Sequence, residues 1–239
     1  MKNPIDIQGN RLYKLGAIVS LILVFYCLVT MLILVLIGGQ PNNAQETFLM
    51  LQQNRFVGLL RLDLLTILFI PLYFVLFSII FSILHKTEND FALIATILVF
   101  AGVTLALATP SVFSWLSLSD KYSASTDITY KNQLLAAGEA ILASDLWHGS
   151  GAIMGGILMQ TGTALVSLLM RRTPAFGKLT ANLGVVAHSL DLAHIIVGFF
   201  LPAGGVILLA IAGPIYLVWF PLLARDLFRL AKTTPQTGH

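Results

Sequence analysis

Three ionisable side chains, His188, Asp191 and His194, interrupt a run that is otherwise apolar. At about 100° per residue, steps of three set them along one helical stripe roughly 120° wide, with Asp191 in the middle. Gly184, Ala187, Ile195, Gly198 and Pro202 fall on or beside that stripe, and Leu190, Ala193, Ile196, Val197 and Phe200 fall opposite. One face is small and polar and the other is apolar. An ionisable group at the centre of a membrane helix costs about 2.5 to 3.5 kcal/mol on insertion scales, so such a stripe should face protein or water. A carboxylate flanked by two imidazoles can bind a proton or cation, ligate a metal, or supply an axial ligand to haem.

A second stretch answers the first. Asp145, His148, Gly151, Ala152, Gly155, Met159 and Gly162 recur on one side of a helix, with Gln160 off that side, and Gly151-x-x-x-Gly155 is a close-packing motif of membrane helices. The short basic turn Arg171-Arg172-Thr173-Pro174 makes the two stretches antiparallel neighbours. Counting from the turns at that end, His194, His148 and Asp63 lie at a similar depth, roughly 30 to 33 Å along their helices, with Asp191 and His188 progressively deeper. The expected site is therefore a small-ligand or ion pocket built from His188, Asp191, His194, His148 and Asp63, between the second, fourth and fifth spans and open to the outer face.

The same residues allow other chemistry. Asp145-x-x-His148 and Asp191-x-x-His194 place a carboxylate and an imidazole three residues apart on two helices, as in the Glu-x-x-His pairs of di-metal bundles. Zinc or another divalent metal held by His148, His194, Asp191 and Asp145 could activate water in a membrane hydrolase. Haem is a further alternative: His188 and His194 diverge by about 120° and cannot share an iron, so any pair must use His148, and His85 lies on the opposite side. The fourth reading is a structural or assembly subunit with a satisfied polar cluster. Trp115, Trp147 and Trp219 read as interfacial anchors, Glu139 as a solvated side chain, and Pro71, Pro110 and Pro214 as points where carbonyls could be freed toward a cavity.

Composition sets the elements that position these groups. Of 239 residues, 57% are hydrophobic and 10% charged, where an ordinary soluble domain has about a quarter charged. The chain reads as one integral membrane domain, residues 1–239, all-α, with the lipid bilayer as its main partner. The single cysteine, Cys27, excludes an intrachain disulfide framework, a Cys-rich metal site and a Cys-x-x-Cys redox site. There is no phosphate loop, dinucleotide fingerprint or serine elbow. The net charge of +3 gathers at membrane boundaries and does not point to nucleic acid.

Six spans are expected, at about 15–37, 56–84, 91–115, 145–170, 175–201 and 206–223. The first, about 23 residues, is too long for a signal-peptide core and reads as a retained helix. Polar loops are expected after the first span and over 117–131, an extra amphipathic helical segment over 132–144, an N-cap at Thr173 with Pro174 opening the fifth helix, and a short turn at 201–205. Six spans put both termini on one side. Ten of the 14 Lys and Arg residues fall on that side and four (Arg55, Arg61, Lys121 and Lys131) on the other, which predicts cytoplasmic termini.

The stretch Leu168-Leu169-Met170-Arg171-Arg172-Thr173-Pro174, followed by Phe176-Gly177-Lys178-Leu179, joins the fourth span to the fifth. The last span reads Gly213-Pro214-Ile215-Tyr216-Leu217-Val218-Trp219-Phe220 before Leu223-Ala224-Arg225-Asp226-Leu227. With six spans in this length, the chain resembles a bacterial membrane family known as the domain of unknown function numbered four-three-eight-six. The resemblance implies a six-helix fold in a prokaryotic inner membrane. It brings no activity and no site residues, so the His/Asp stripe is judged on its chemistry alone.

Overall fold

The computed structural model describes residues 4–109, 111–144 and 149–233, and the described chain is helical without strands. Its helices are α1 (Pro4–Leu36), α2 (Ala44–Gln53), α3 (Arg55–Arg61), α4 (Leu64–Phe69), α5 (Leu72–Leu84), α6 (Asn89–Ala108), α7 (Val112–Ala124), α8 (Ile128–Leu142), α9 (Ser150–Met170), α10 (Lys178–Phe200) and α11 (Pro202–Thr233). Among the described residues, six stretches are long and apolar enough to cross a bilayer: Asn10–Leu36, Leu64–Leu84, Asn89–Ala124, Ser150–Met170, Lys178–Phe200 and Pro202–Thr233. The protein is a polytopic all-α membrane protein. A helix satisfies most of its backbone polar groups internally, as a medium without water requires.

Several boundaries differ from the sequence expectation, each for a local reason. The second apolar run is three helices. Asp63 adopts a left-handed conformation (φ 61°) between α3 and α4, and Pro71 separates α4 from α5 because it has no N–H to donate and its ring crowds the preceding turn. The expected polar loop after the first span contains α2, started by Asn43, whose side chain accepts from Glu46 N at 2.8 Å. The Ser/Thr-rich segment over 117–131 is largely helical, divided between α7 and α8, with Asp127 capping α8 through Thr129 N. The extra helical segment is present as α8, separate from α9. α11 opens at Pro202, so 201–205 is no loop, and it runs ten residues beyond the expected end at Leu223, to Thr233. Asp145, Trp147, His148 and Pro110 lie outside the described residues.

The chain divides into two compact units. The unit formed by 29–70 and 104–155 has a core of Ala44, Phe48, Met50, Leu51, Leu62, Val112, Trp115 and Leu134. Phe48 meets Trp115 edge-on at 5.8 Å, so Trp115 is a buried core residue and not an interfacial anchor. Glu139 does more than face solvent: its Oε1 accepts from Ala44 N at 2.8 Å and satisfies the first amide of α2.

The other unit, 1–28, 71–103 and 156–239, holds α5, α10, α11 and parts of α1, α6 and α9. α10 and α11 are joined through the single residue Leu201 and pack along one another. Gly205 permits this: a Cβ there would fall 2.9 Å from Gly198 Cα and 3.1 Å from the His194 carbonyl. At the other end of α10 the cap is not Thr173 but a carboxylate from α11. Asp226, fully buried, accepts from Gly177 N at 2.8 Å and Thr180 Oγ1 at 2.6 Å. α9 seats on α6 at Gly162, where a Cβ would fall 2.7 Å from both Ala95 O and Val99 N.

Backbone cannot yield as a flexible side chain can, so Gly162→Ala is expected to lower stability by about 1–3 kcal/mol. Gly198→Ala, whose Cβ meets nothing within 4 Å, should stay within about 0.5 kcal/mol of the parent. Unfolding in an SDS titration compares the two, and equal losses would contradict the packing at Gly162.

Candidate functional site

The apolar interior of the second unit contains a four-residue polar network contributed by α9, α10 and α11. Gln160 on α9 is the hub. Its Nε2 donates to Asp191 Oδ2 at 2.6 Å, and its Oε1 lies 2.7 Å from His188 Nδ1. Tyr216 on α11 closes the ring: its hydroxyl donates to Asp191 Oδ2 at 3.0 Å and lies 3.1 Å from His188 Nδ1. A carboxylate oxygen accepts only, so the amide nitrogen of Gln160 must face Asp191 and its oxygen must face the imidazole. His188 then carries its proton on Nδ1, shared between Gln160 Oε1 and Tyr216 Oη, and Nε2 presents a lone pair.

The His188 ring packs against an aromatic wall. It lies edge-on to Trp219, with centroids 4.8 Å apart and planes at 89°, and 5.1 Å from Tyr216. Phe220 continues the wall to Tyr73, 6.4 Å away edge-on. Gly184, one turn before His188, makes room for it. A Cβ there would fall 2.6 Å from Trp219 Nε1 and overlap Ser167 Oγ. Ser167 Oγ, His188 Nε2 and Trp219 Nε1 are all buried and make no hydrogen bond among the described residues. Three polar atoms left without protein partners in an apolar interior carry a desolvation cost, and they cluster around the turn of α10 from Gly184 to His188.

His194 is turned to a separate task. Its Nδ1 donates to Gly205 O at 2.9 Å, linking α10 to α11 just below the hairpin. The structure thus joins His188 and Asp191 directly and leaves His194 three residues further along the same helix. Asp63 belongs to the other unit, where it accepts from Gln40 Nε2 at 2.7 Å. Arg61 beside it donates through Nε to Gly39 O at 2.7 Å and approaches Glu46 at 3.6 Å. His148 and Asp145 lie outside the described residues, so the metal set of His148, His194, Asp191 and Asp145 is represented by Asp191 and His194 alone. Among the described residues no three of His, Cys, Asp and Glu come together as a metal would need.

Three participants differ from the sequence expectation. Gln160, placed off the polar side of its helix, is the hub. Trp219 is fully buried against His188 and does not anchor at an interface. Tyr216 was part of the last span with no assigned role. The usable signal is an amide and a phenol inside apolar runs, because each carries hydrogen-bonding groups that lipid cannot satisfy. No family model, curated protein or solved structure matches the chain.

Tyr216→Phe removes one of two donors to Asp191 Oδ2 and is expected to cost about 1–3 kcal/mol in the same SDS titration. In ¹⁵N spectra of histidine-labelled protein, His188 should show protonated Nδ1 and bare Nε2. The opposite tautomer would contradict the assigned orientation of Gln160.

Proposed function

We propose that this protein binds a small ligand or ion within a prokaryotic inner membrane, and that the ligand carries positive charge and is held at Asp191. The observation that supports this is the mismatch at the carboxylate. Asp191 lies about 20 Å along α10 from Lys178, and its Oδ2 receives two neutral donors, Gln160 Nε2 and Tyr216 Oη. No Lys or Arg pairs with it among the described residues. In a low-dielectric interior a carboxylate demands a counter-charge, and neutral hydrogen bonds compensate only part of the cost of removing it from water. The unpartnered atoms of His188, Ser167 and Trp219 lie around the preceding turns. A metal cation or a small ammonium compound supplies what the network lacks. The excess of Lys and Arg on the side of the termini supports an orientation with both ends in the cytoplasm.

Trp219 offers the readout because its ring lies 4.8 Å from His188. Protein in lipid nanodiscs is titrated with sodium, potassium, calcium, zinc and methylammonium at constant ionic strength, and tryptophan emission is followed. At least one should give a saturable change that is lost in Asp191→Asn and in Trp219→Phe. A flat response to all five would overturn the proposal. So would an infrared band of protonated carboxyl, absent in Asp191→Asn, that persists across the neutral range. A proton would then supply the missing charge.

A further inference from the structure

A second, independent feature lies at the end of the same unit where α1 begins and α11 ends. A groove of about 600 Å³ opens there between the two helices. Its walls are apolar along Leu21, Pro221 and Phe228, and three cations, Arg225, Arg229 and Lys232, stand around it. α1 and α11 meet beside it at Gly16, where a Cβ would fall 3.2 Å from Leu227 Cδ1.

The arginines are held in place by the buried carboxylate that also caps α10. Asp226 Oδ1 lies 3.2 Å from Arg225 Nη2 and 3.8 Å from Arg229 Nη2. Arg229 Nη2 in addition donates to Ala175 O at 2.8 Å. These contacts use one terminal nitrogen of each guanidinium, and both side chains remain at least half exposed, at 60% and 50%. Lys232 is exposed and has no ion-pair partner among the described residues. Three cations against one carboxylate leave an excess of about two positive charges over an apolar cleft. Both helices are apolar enough to span a bilayer.

We propose that this groove binds an anionic glycerophospholipid, with its phosphate among Arg225, Arg229 and Lys232 and an acyl chain along Leu21, Pro221 and Phe228. Charge complementarity selects the headgroup, because a zwitterionic lipid brings its own cation to the same place. The apolar floor selects a lipid over free phosphate. Guanidinium groups suit the phosphate oxygens through their planar forks of N–H donors. A basic pocket between membrane helices is a known physical basis for headgroup recognition, each cation contributing about a five-fold factor in affinity.

Native mass spectrometry of protein exchanged into equimolar phosphatidylglycerol and phosphatidylcholine of matched chains tests this. The parent should retain phosphatidylglycerol at least about five-fold more often, and millimolar inorganic phosphate should not displace it. Lys232→Gln, on an exposed side chain in the last turn, should reduce the preference about five-fold, and Arg225→Gln with Lys232→Gln should abolish it. Arg171→Gln, outside the groove, should leave the preference intact. Equal retention of the two lipids by the parent would overturn the proposal, as would displacement by phosphate alone. A preference unchanged in Lys232→Gln, or lowered as much by Arg171→Gln, would do the same.

Discussion

Everything around α10 follows from placing a part-buried carboxylate between two neutral donors, with no Lys or Arg paired to it among the described residues. Asp191 forces two neighbours to present donors, and both come from other helices, Gln160 on α9 and Tyr216 on α11. Once Gln160 has turned its nitrogen toward Asp191, its oxygen must find a donor, which fixes the proton of His188 on Nδ1. One charge thereby sets the orientation of an amide, a tautomer and a phenol. The approach of helices needed for these short bonds explains the glycines. Gly184 makes space for Ser167 and Trp219, and Gly205 lets α11 lie against the His194 turn. The polar network and the close packing are two aspects of one constraint.

The same unit holds a second carboxylate, this one fully buried, by a different solution. Asp226 receives the Gly177 amide and the Thr180 hydroxyl at the start of α10, where the helix dipole also favours a negative charge, and has two guanidinium groups nearby. Its charge is compensated by the protein. Asp191, with neutral donors only, is not compensated in that way. The contrast separates a carboxylate that organises structure from the one proposed to hold a ligand, although both lie on apolar helices of one unit.

What the sequence showed follows the same physics. Long apolar runs are legible because lipid demands them, and the His188/Asp191/His194 stripe stands out because ionisable groups are rare inside such runs. Gln160 reads as lying off the polar side and Tyr216 as an ordinary span residue because a single neutral polar or aromatic residue in an apolar helix is common, and its importance depends on which helix it meets. Trp219 sits near a span end along the chain, which suggests an anchor, while its burial depends on His188 of the neighbouring α10. Asp63 illustrates the reverse case. The left-handed backbone of this aspartate leaves no mark in hydropathy, yet it breaks the second apolar run, and its carboxylate serves Gln40. The helix α2 was hidden because ten residues with a polar face read as a loop until Asn43 and Glu139 are seen to cap it.

α11 contributes to both proposed sites, and its prolines bear on how they are built. Pro214 and Pro221 lie inside the helix, on either side of the stretch that contains Tyr216 and Trp219. Neither has an N–H, so the carbonyls of Ala210 and Leu217 lose their usual partners. The helix is therefore least tied along its axis where it delivers the phenol to Asp191. Side-chain contacts must hold that segment instead: the Tyr216 hydroxyl on Asp191, and Trp219 against His188. Beyond Pro221 the helix has no further interior proline and is fastened through Asp226 and Arg229 to the start of α10. A charge arriving at Asp191 would bear first on Tyr216, in the stretch that backbone hydrogen bonds restrain least. The groove cations lie on the stretch restrained by the buried carboxylate, so the two sites differ in rigidity for reasons that can be read from where the prolines and the carboxylates fall along one helix.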